Sequence, residues 1–181
     1  MIVVGASVGG MQALQVLLGR LRASLPTSIA VALHRHRDSD LALIETLQRA
    51  SMLKVYEAVD KQVIEPGCVY VAPPDYHLLI DGKRLALSVD EPVRFARPSI
   101  DVLFESAAAL GRRAVGVVLT GGGSDGAQGA ALIEASGGRV CVQTPAEALC
   151  RDMPDAALAV LRRPMVGTVA TIAEQLLEWS E

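Results

Sequence analysis

The stretch Ile2-Val3-Val4-Gly5-Ala6-Ser7-Val8-Gly9-Gly10 decides the fold. Ile2-Val3-Val4 is a β-branched apolar run that suits a buried strand. The glycines behind it end that run, and a helical pattern follows at once, with Leu14, Leu17, Leu18 and Leu21 on one face. Strand, Gly-rich turn and amphipathic helix are the opening of a βαβ unit. The pattern then returns. Ile29-Ala30-Val31-Ala32-Leu33 reads as a second strand ending at His34, and Asp38-Ser39-Asp40 offers caps for a helix through Leu41, Ile44, Leu47 and Gln48. Ala114 to Leu119 is wholly apolar, as a central strand should be, and runs into Thr120-Gly121-Gly122-Gly123-Ser124-Asp125-Gly126. A helix with Ala130, Leu132 and Ile133, the strand Arg139-Val140-Cys141-Val142, and a last helix over Ile172 to Trp179 complete the series.

The middle of the chain differs. Leu53 to Ala58 alternates like a half-exposed strand, Val69-Tyr70-Val71-Ala72 reads as another, and Leu78-Leu79-Ile80 with Leu85-Ala86-Leu87 flank the turn dipeptide Asp81-Gly82. This region reads as an antiparallel insertion or edge. Pro98-Ser99 opens a helix through Val102, Leu103, Phe104 and Ala107. The expectation is one α/β domain over 1–181: a single doubly wound, mostly parallel sheet with helices on both faces and an antiparallel hairpin near one edge.

Composition narrows the function. The 181 residues are 51% apolar but only 3% aromatic, and 17 Lys and Arg stand against 20 Asp and Glu for a net charge of −3. A chain so apolar can bury enough surface to fold. One so poor in aromatic and excess basic residues is not built to stack or neutralise nucleic acid. No run reaches the roughly 18 apolar residues of a membrane helix, and the first residues lack the basic start of a signal peptide. Cys68, Cys141 and Cys150 share no metal spacing and read as small buried hydrophobes, which suits the cytoplasm.

Three loops behind apolar strands bring Ser7, His34 and Asp125 to the carboxyl edge of the sheet, where open α/β sheets place their sites. A serine hydroxyl becomes a nucleophile when an imidazole takes its proton, and a carboxylate holds that imidazole in one tautomer. Gly5-Ala6-Ser7-Val8-Gly9 fits the G-x-S-x-G elbow, in which the helix amino end faces a developing oxyanion. The same turn could bind phosphate. His34 could equally belong to a solvated run with Arg35, His36 and Arg37, or pair with His36 on a metal, although no further ligand stands at metal spacing. Asp125 could orient the histidine or cap the helix that follows it. Asp38 and Asp101 read as helix-start residues, and His77 as structural.

Taken together, these segments resemble the catalytic domain of the chemotaxis protein-glutamate methylesterases of the CheB type. The resemblance is carried by Gly5-Ala6-Ser7-Val8-Gly9-Gly10, Pro66-Gly67-Cys68-Val69-Tyr70-Val71-Ala72-Pro73, Arg97-Pro98-Ser99-Ile100-Asp101-Val102-Leu103-Phe104, Val115 to Gly121 with Asp125-Gly126, and Met153-Pro154. It implies a serine at Ser7, an aspartate at Asp125 and a histidine that falls on His34, not His36, when counted back from Glu45 and Leu47. It implies hydrolysis of glutamate γ-methyl esters on the helical cytoplasmic region of methylated chemoreceptors, with deamidation of receptor glutamines in some members, and neither cofactor nor metal. The Val8 N–H follows the nucleophile and is the natural oxyanion donor, with the Gly122 N–H as a second. Gly122 stands where the family usually has Met, which removes one apolar wall. The family's receiver domain has no counterpart here, so control by a separate response-regulator protein is expected. Two other readings stand beside the hydrolase. One is a non-catalytic receptor-interaction module of the same fold. The other is a nucleotide-binding protein, which the lack of G-x-G-x-x-G, of a Walker loop and of an acid in place of His34 opposes.

Overall fold

The computed structural model describes residues 1–35 and 42–180. Seven strands form one sheet: β1 (Ile2–Ala6), β2 (Ile29–Leu33), β3 (Lys54–Glu57), β4 (Cys68–Val71), β7 (Val115–Val118), β8 (Arg139–Gln143) and β9 (Met165–Gly167). Their order is β3-β4-β2-β1-β7-β8-β9, and every adjacent pair is parallel. The two remaining strands, β5 (His77–Asp81) and β6 (Arg84–Ser88), make a separate antiparallel hairpin. The antiparallel reading of the middle region is therefore correct for β5 and β6 alone. β3 and β4 join the main sheet in parallel, and the hairpin turns at Gly82-Lys83, one residue later than the dipeptide suggests.

Helices cover both faces because the strands are apolar on both. Along β1, Ile2, Val4 and Ala6 face one core, shared with α1 (Gly10–Arg20), α2 (Leu43–Ala50) and α6 (Val169–Glu178). Val3 faces the other, filled by α3 (Ile100–Ala108), α4 (Ala127–Ala135), α5 (Asp152–Val160) and the hairpin. This period-2 division of one strand between two cores is what a doubly covered parallel sheet requires. The hairpin is tied to α3 by the Ile80 N–H, which donates to Ser106 Oγ at 2.9 Å.

The described part of α2 starts at Leu43, so the expected caps at Asp38-Ser39-Asp40 and the residue Leu41 lie outside the described residues, as does His36. The last helix begins at Val169, three residues before the expected Ile172, because the Thr168 hydroxyl accepts from the Thr171 N–H at 3.1 Å. α5 has no forecast in the sequence reading. Its Pro154 stands in the first turn, where no intrahelical acceptor is lost. Among the described residues no helix is long and apolar enough to cross a membrane.

Chain order reverses between β1 and β7: from β1 the sheet grows through β2 to β4, and the chain then returns to the other side of β1. Loops behind neighbouring strands diverge there and leave a crevice.

Candidate active site

Ser7 stands directly behind β1 at that crevice. Its N–H donates to the Thr120 carbonyl behind β7 at 3.0 Å, and its carbonyl accepts from the Gly10 N–H at 2.8 Å. The turn passes through Gly9 at φ 79°, a left-handed conformation that glycine adopts without strain. Thr120 ties the two loops together. Its Oγ1 donates to the Val8 carbonyl (2.8 Å) and accepts from the Cys150 N–H (2.9 Å), while its own N–H donates to Gln143 Oε1 (2.8 Å). Gly121 is pressed between Ser7 and Met153: a Cβ there would lie 2.7 Å from Ser7 Cβ and collide with Met153 Sδ. Met153-Pro154 thus earns its place in the sequence pattern as the far wall of the serine loop.

His34 follows β2 directly, its N–H donating to the Ala6 carbonyl at 3.0 Å. Its Nε2 lies 2.7 Å from Asp125 Oδ2. Asp125 is 4% exposed, and His34 bonds it across 91 residues of chain. The same carboxylate is seated on the amino end of α3. Oδ2 also accepts from the Ile100 N–H (2.7 Å), and Oδ1 accepts from the Asp101 N–H and the Ser99 hydroxyl (both 2.9 Å). Burial alone would push the Asp125 carboxyl up. His34 and the N–H groups of Asp101 and Ile100 outweigh it, so the group sits below the ordinary carboxylate range. An ionised carboxylate only accepts, so His34 Nε2 carries a proton toward Asp125.

Asp125 therefore does not cap the helix that follows it. Asp101 does: its Oδ1 accepts from the N–H groups of Gly126 (3.0 Å) and Gly129 (2.8 Å) at the start of α4. Each aspartate lies beside one helix start and holds the other, a crossed arrangement that clamps α3 to α4. Burial, and then Asp125 beside it, pushes the Asp101 carboxyl above the ordinary range against the N–H of Gly129 and Arg94. Behind this pair His77 is 1% exposed. Its Nδ1 accepts from the Ser99 N–H (3.1 Å) and its Nε2 donates to the Glu91 carbonyl (3.1 Å), which fixes a neutral tautomer and holds Ser99 against Asp125. Sequence reading finds His77 structural but misses its link to Asp125 through Ser99.

Ser7 and His34 border one cavity of about 270 Å³ with Gly10, Met11, Leu33 and Arg35. No hydrogen bond joins the Ser7 hydroxyl to His34 among the described residues. On its other side His34 borders a larger cleft of about 680 Å³, with Arg35, Arg97, Gly122 and Asp125. The N–H groups of Val8 and Gly122 have no acceptor among the described residues. A Cβ at Gly122 would have its nearest neighbour, Cys150 Sγ, at 3.8 Å, so this position has open room beside the site. The Arg35 guanidinium donates through Nη2 to Glu57 Oε2 (2.7 Å) and the Ala72 carbonyl (3.3 Å), while its buried Nε has no acceptor among the described residues. Cys68 and Cys141 are buried, and burial pushes the Cys141 thiol up to about 12. Among the described residues no three His, Cys, Asp or Glu side chains gather as a metal site would require.

A chain order of Ser, His, Asp around a β1–β7 crevice narrows the comparison with known proteins. Residues 2–176 match the model of the CheB methylesterase family. The chain belongs to that family. It is 41% identical over 175 residues to a Leptospira interrogans relative provisionally named protein-glutamate methylesterase/protein-glutamine glutaminase, covering 96% of this chain and 91% of the other. A protein-glutamate methylesterase/protein-glutamine glutaminase of Anaeromyxobacter dehalogenans is 40% identical over 181 residues, but the match covers only 53% of its length. The chain thus spans about half of that longer relative. The crystal structure of the Thermotoga maritima CheB methylesterase catalytic domain superposes with a TM-score of 0.93 at 29% identity, covering 98% of this chain and 97% of the other. This chain, with its parallel seven-stranded sheet and separate hairpin, shares the fold of that catalytic domain.

Proposed function

We propose that residues 1–181 form a serine hydrolase domain that removes methyl esters from glutamate side chains of chemoreceptors, and the amide from glutamines at such sites, in the cytoplasm. The observation that carries this reading is the 2.7 Å bond between His34 Nε2 and Asp125 Oδ2, with Ser7 across the cavity that it shares with His34. Membership of the CheB family and the names of the relatives support the substrate class.

In this mechanism Asp125 holds the Nε2–H of His34, which keeps Nδ1 basic and directed to its work. As Ser7 Oγ attacks the ester carbonyl, Nδ1 takes its proton, and the adjacent carboxylate stabilises the imidazolium. The carbonyl oxygen gains its charge beside the Val8 N–H just ahead of α1 and the Gly122 N–H behind β7, both without an acceptor among the described residues. His34 returns the proton to the departing methoxide, methanol leaves, and water resolves the acyl-enzyme by the same steps. With a glutamine substrate, ammonia leaves in place of methanol. A non-catalytic module would keep Asp125 to anchor α3, but would need neither the histidine bonded to it nor the serine elbow beside them. Control by a separate response-regulator protein belongs to the same reading.

The test is mass spectrometry of a methylated receptor cytoplasmic fragment after incubation with the chain. Modified peptides should lose one CH₂, with methanol released in equal amount. A receptor that keeps every methyl group under conditions where the chain is folded would refute the substrate assignment.

A further inference from the structure

The candidate active site lies at the carboxyl edge of the sheet. The amino edge carries a second cavity of different build, about 230 Å³ in volume, beside the starts of β1, β7 and β8. Ser7 and Asp125 stand behind the opposite ends of β1 and β7, so the length of the strands separates the two places.

Local sequence builds the cationic wall of this cavity. After α3, Gly111 at φ 58° turns the chain into a short 3-10 helix, Gly111–Arg113, which sets Arg112 and Arg113 just ahead of β7. In the parallel ladder Val115 pairs with Arg139, the first residue of β8, so a third arginine joins them. The Arg139 guanidinium carbon lies 4.8 Å from the centre of the Trp179 ring at the end of α6, within the reach of a cation–π contact. All four side chains line the cavity, and the buried Ile2 and Leu176 supply its apolar lining.

Arginines at the cleft beside His34 are already engaged: Arg35, Arg94 and Arg97 each pair with a carboxylate. Those at the amino edge are not. Among the described residues the side chains of Arg112, Arg113 and Arg139 have neither an ion pair nor a hydrogen bond, and no Asp or Glu lines the cavity. Two smaller cavities adjoin it, one sharing Met1 and Arg113, the other Pro26 and Ser180. They add Lys83 and Arg22, again with no acid among their described lining residues. This cationic band belongs to a chain whose net charge is −3. The Met1 ammonium stands in the same field: burial first, and Arg113 second, push it below its ordinary value. Like charges held together without a counter-charge oppose folding, and a bound anion relieves them.

The wall selects the kind of anion. Guanidinium groups only donate. A carboxylate offers them two oxygens and one negative charge, whereas a phosphoryl group offers three oxygens and close to two charges. The cavity is smaller than those that hold drug-sized ligands, and its apolar lining suits a short hydrocarbon body. We propose that this cavity binds a small organic phosphate, whose phosphoryl oxygens accept from Arg112, Arg113 and Arg139 while its apolar part lies against Ile2, Leu176 and Trp179. The site stands independently of the hydrolase reading.

Trp179 is the chain's single tryptophan, so indole emission reports on this cavity and not on Ser7. The experiment titrates n-butyl phosphate and inorganic phosphate into the unaltered chain, Arg112→Gln and Arg113→Gln, with sodium chloride at matched ionic strength as the reference. Emission from the unaltered chain should change saturably with n-butyl phosphate, half-complete at about 1 mM or below. Inorganic phosphate should require several-fold more, since it lacks the apolar part. Both variants should melt as the unaltered chain does and bind about tenfold or more weakly. Phosphatidylglycerol vesicles separate a lipid head group from a soluble phosphate, and should leave the emission unchanged. A change that chloride reproduces, undiminished affinity in both variants, or a response to vesicles alone overturns the proposal.

Discussion

Asp125 accepts four hydrogen bonds, and only one comes from His34. The other three come from Ser99, Ile100 and Asp101 at the start of α3, so the same carboxylate that orients the imidazole also anchors a helix. Asp125→Ala would leave a buried hydroxyl and two N–H groups without an acceptor, and should cost about 3–5 kcal/mol, measured by urea unfolding at neutral pH. The pH dependence follows from the direction of its shift. The folded-state carboxyl titrates below its unfolded value, so its contribution is present above the ordinary carboxylate range near 4 and is lost as pH falls through the folded value. The stability gap between the unaltered chain and Asp125→Asn should therefore narrow steadily on acidification below pH of about 4. Asp101, shifted the other way, works against this trend. Ser7 was legible because glycines at fixed offsets mark an elbow, and His34 because it ends an apolar run. The double duty of Asp125 was not, since its partners lie 24 to 91 residues away and leave no local pattern.

At the scale of elements, the apolar strands β1, β2 and β7 were readable because burial on both faces leaves an uninterrupted run. β3 and β4 were readable as strands but not in their direction: a short run carries no information on whether its neighbour is parallel. β9 has three residues, too few for any period, and Pro154 conceals α5 by standing inside its first turn. The loops that carry Ser7 and Asp125 are held together by Thr120 and by the close passage of Gly121 between Ser7 and Met153. Gly121→Ala should lower stability by about 1–3 kcal/mol through overpacking, followed by thermal denaturation. Its activity at temperatures where it remains folded should fall further than the stability loss explains, because Ser7 Cβ is among the atoms displaced.

On the scale of the whole molecule, the reversal of chain order between β1 and β7 opens the crevice, and three consecutive loop systems fill it. Arg35, Arg94 and Arg97 line the cleft beside His34, and each is already paired with a carboxylate, Glu57, Asp101 and Asp75, so the cleft offers an acidic substrate little unpaired positive charge. Raising ionic strength from about 0.05 to 0.5 M shortens the screening length to a few ångströms and should change kcat/KM for the receptor fragment by less than about twofold. A several-fold fall in kcat/KM would mean that the arginines leave these carboxylates to hold the substrate.

The central claim is that Ser7 and His34 perform the hydrolysis. It is tested most directly by methanol release from a methylated receptor fragment by the unaltered chain, Ser7→Ala, His34→Ala and His36→Ala, each checked for a native melting transition. The account predicts losses of at least about 10³-fold for Ser7→Ala and His34→Ala and near-full activity for His36→Ala. Turnover by folded Ser7→Ala at the rate of the unaltered chain would contradict it.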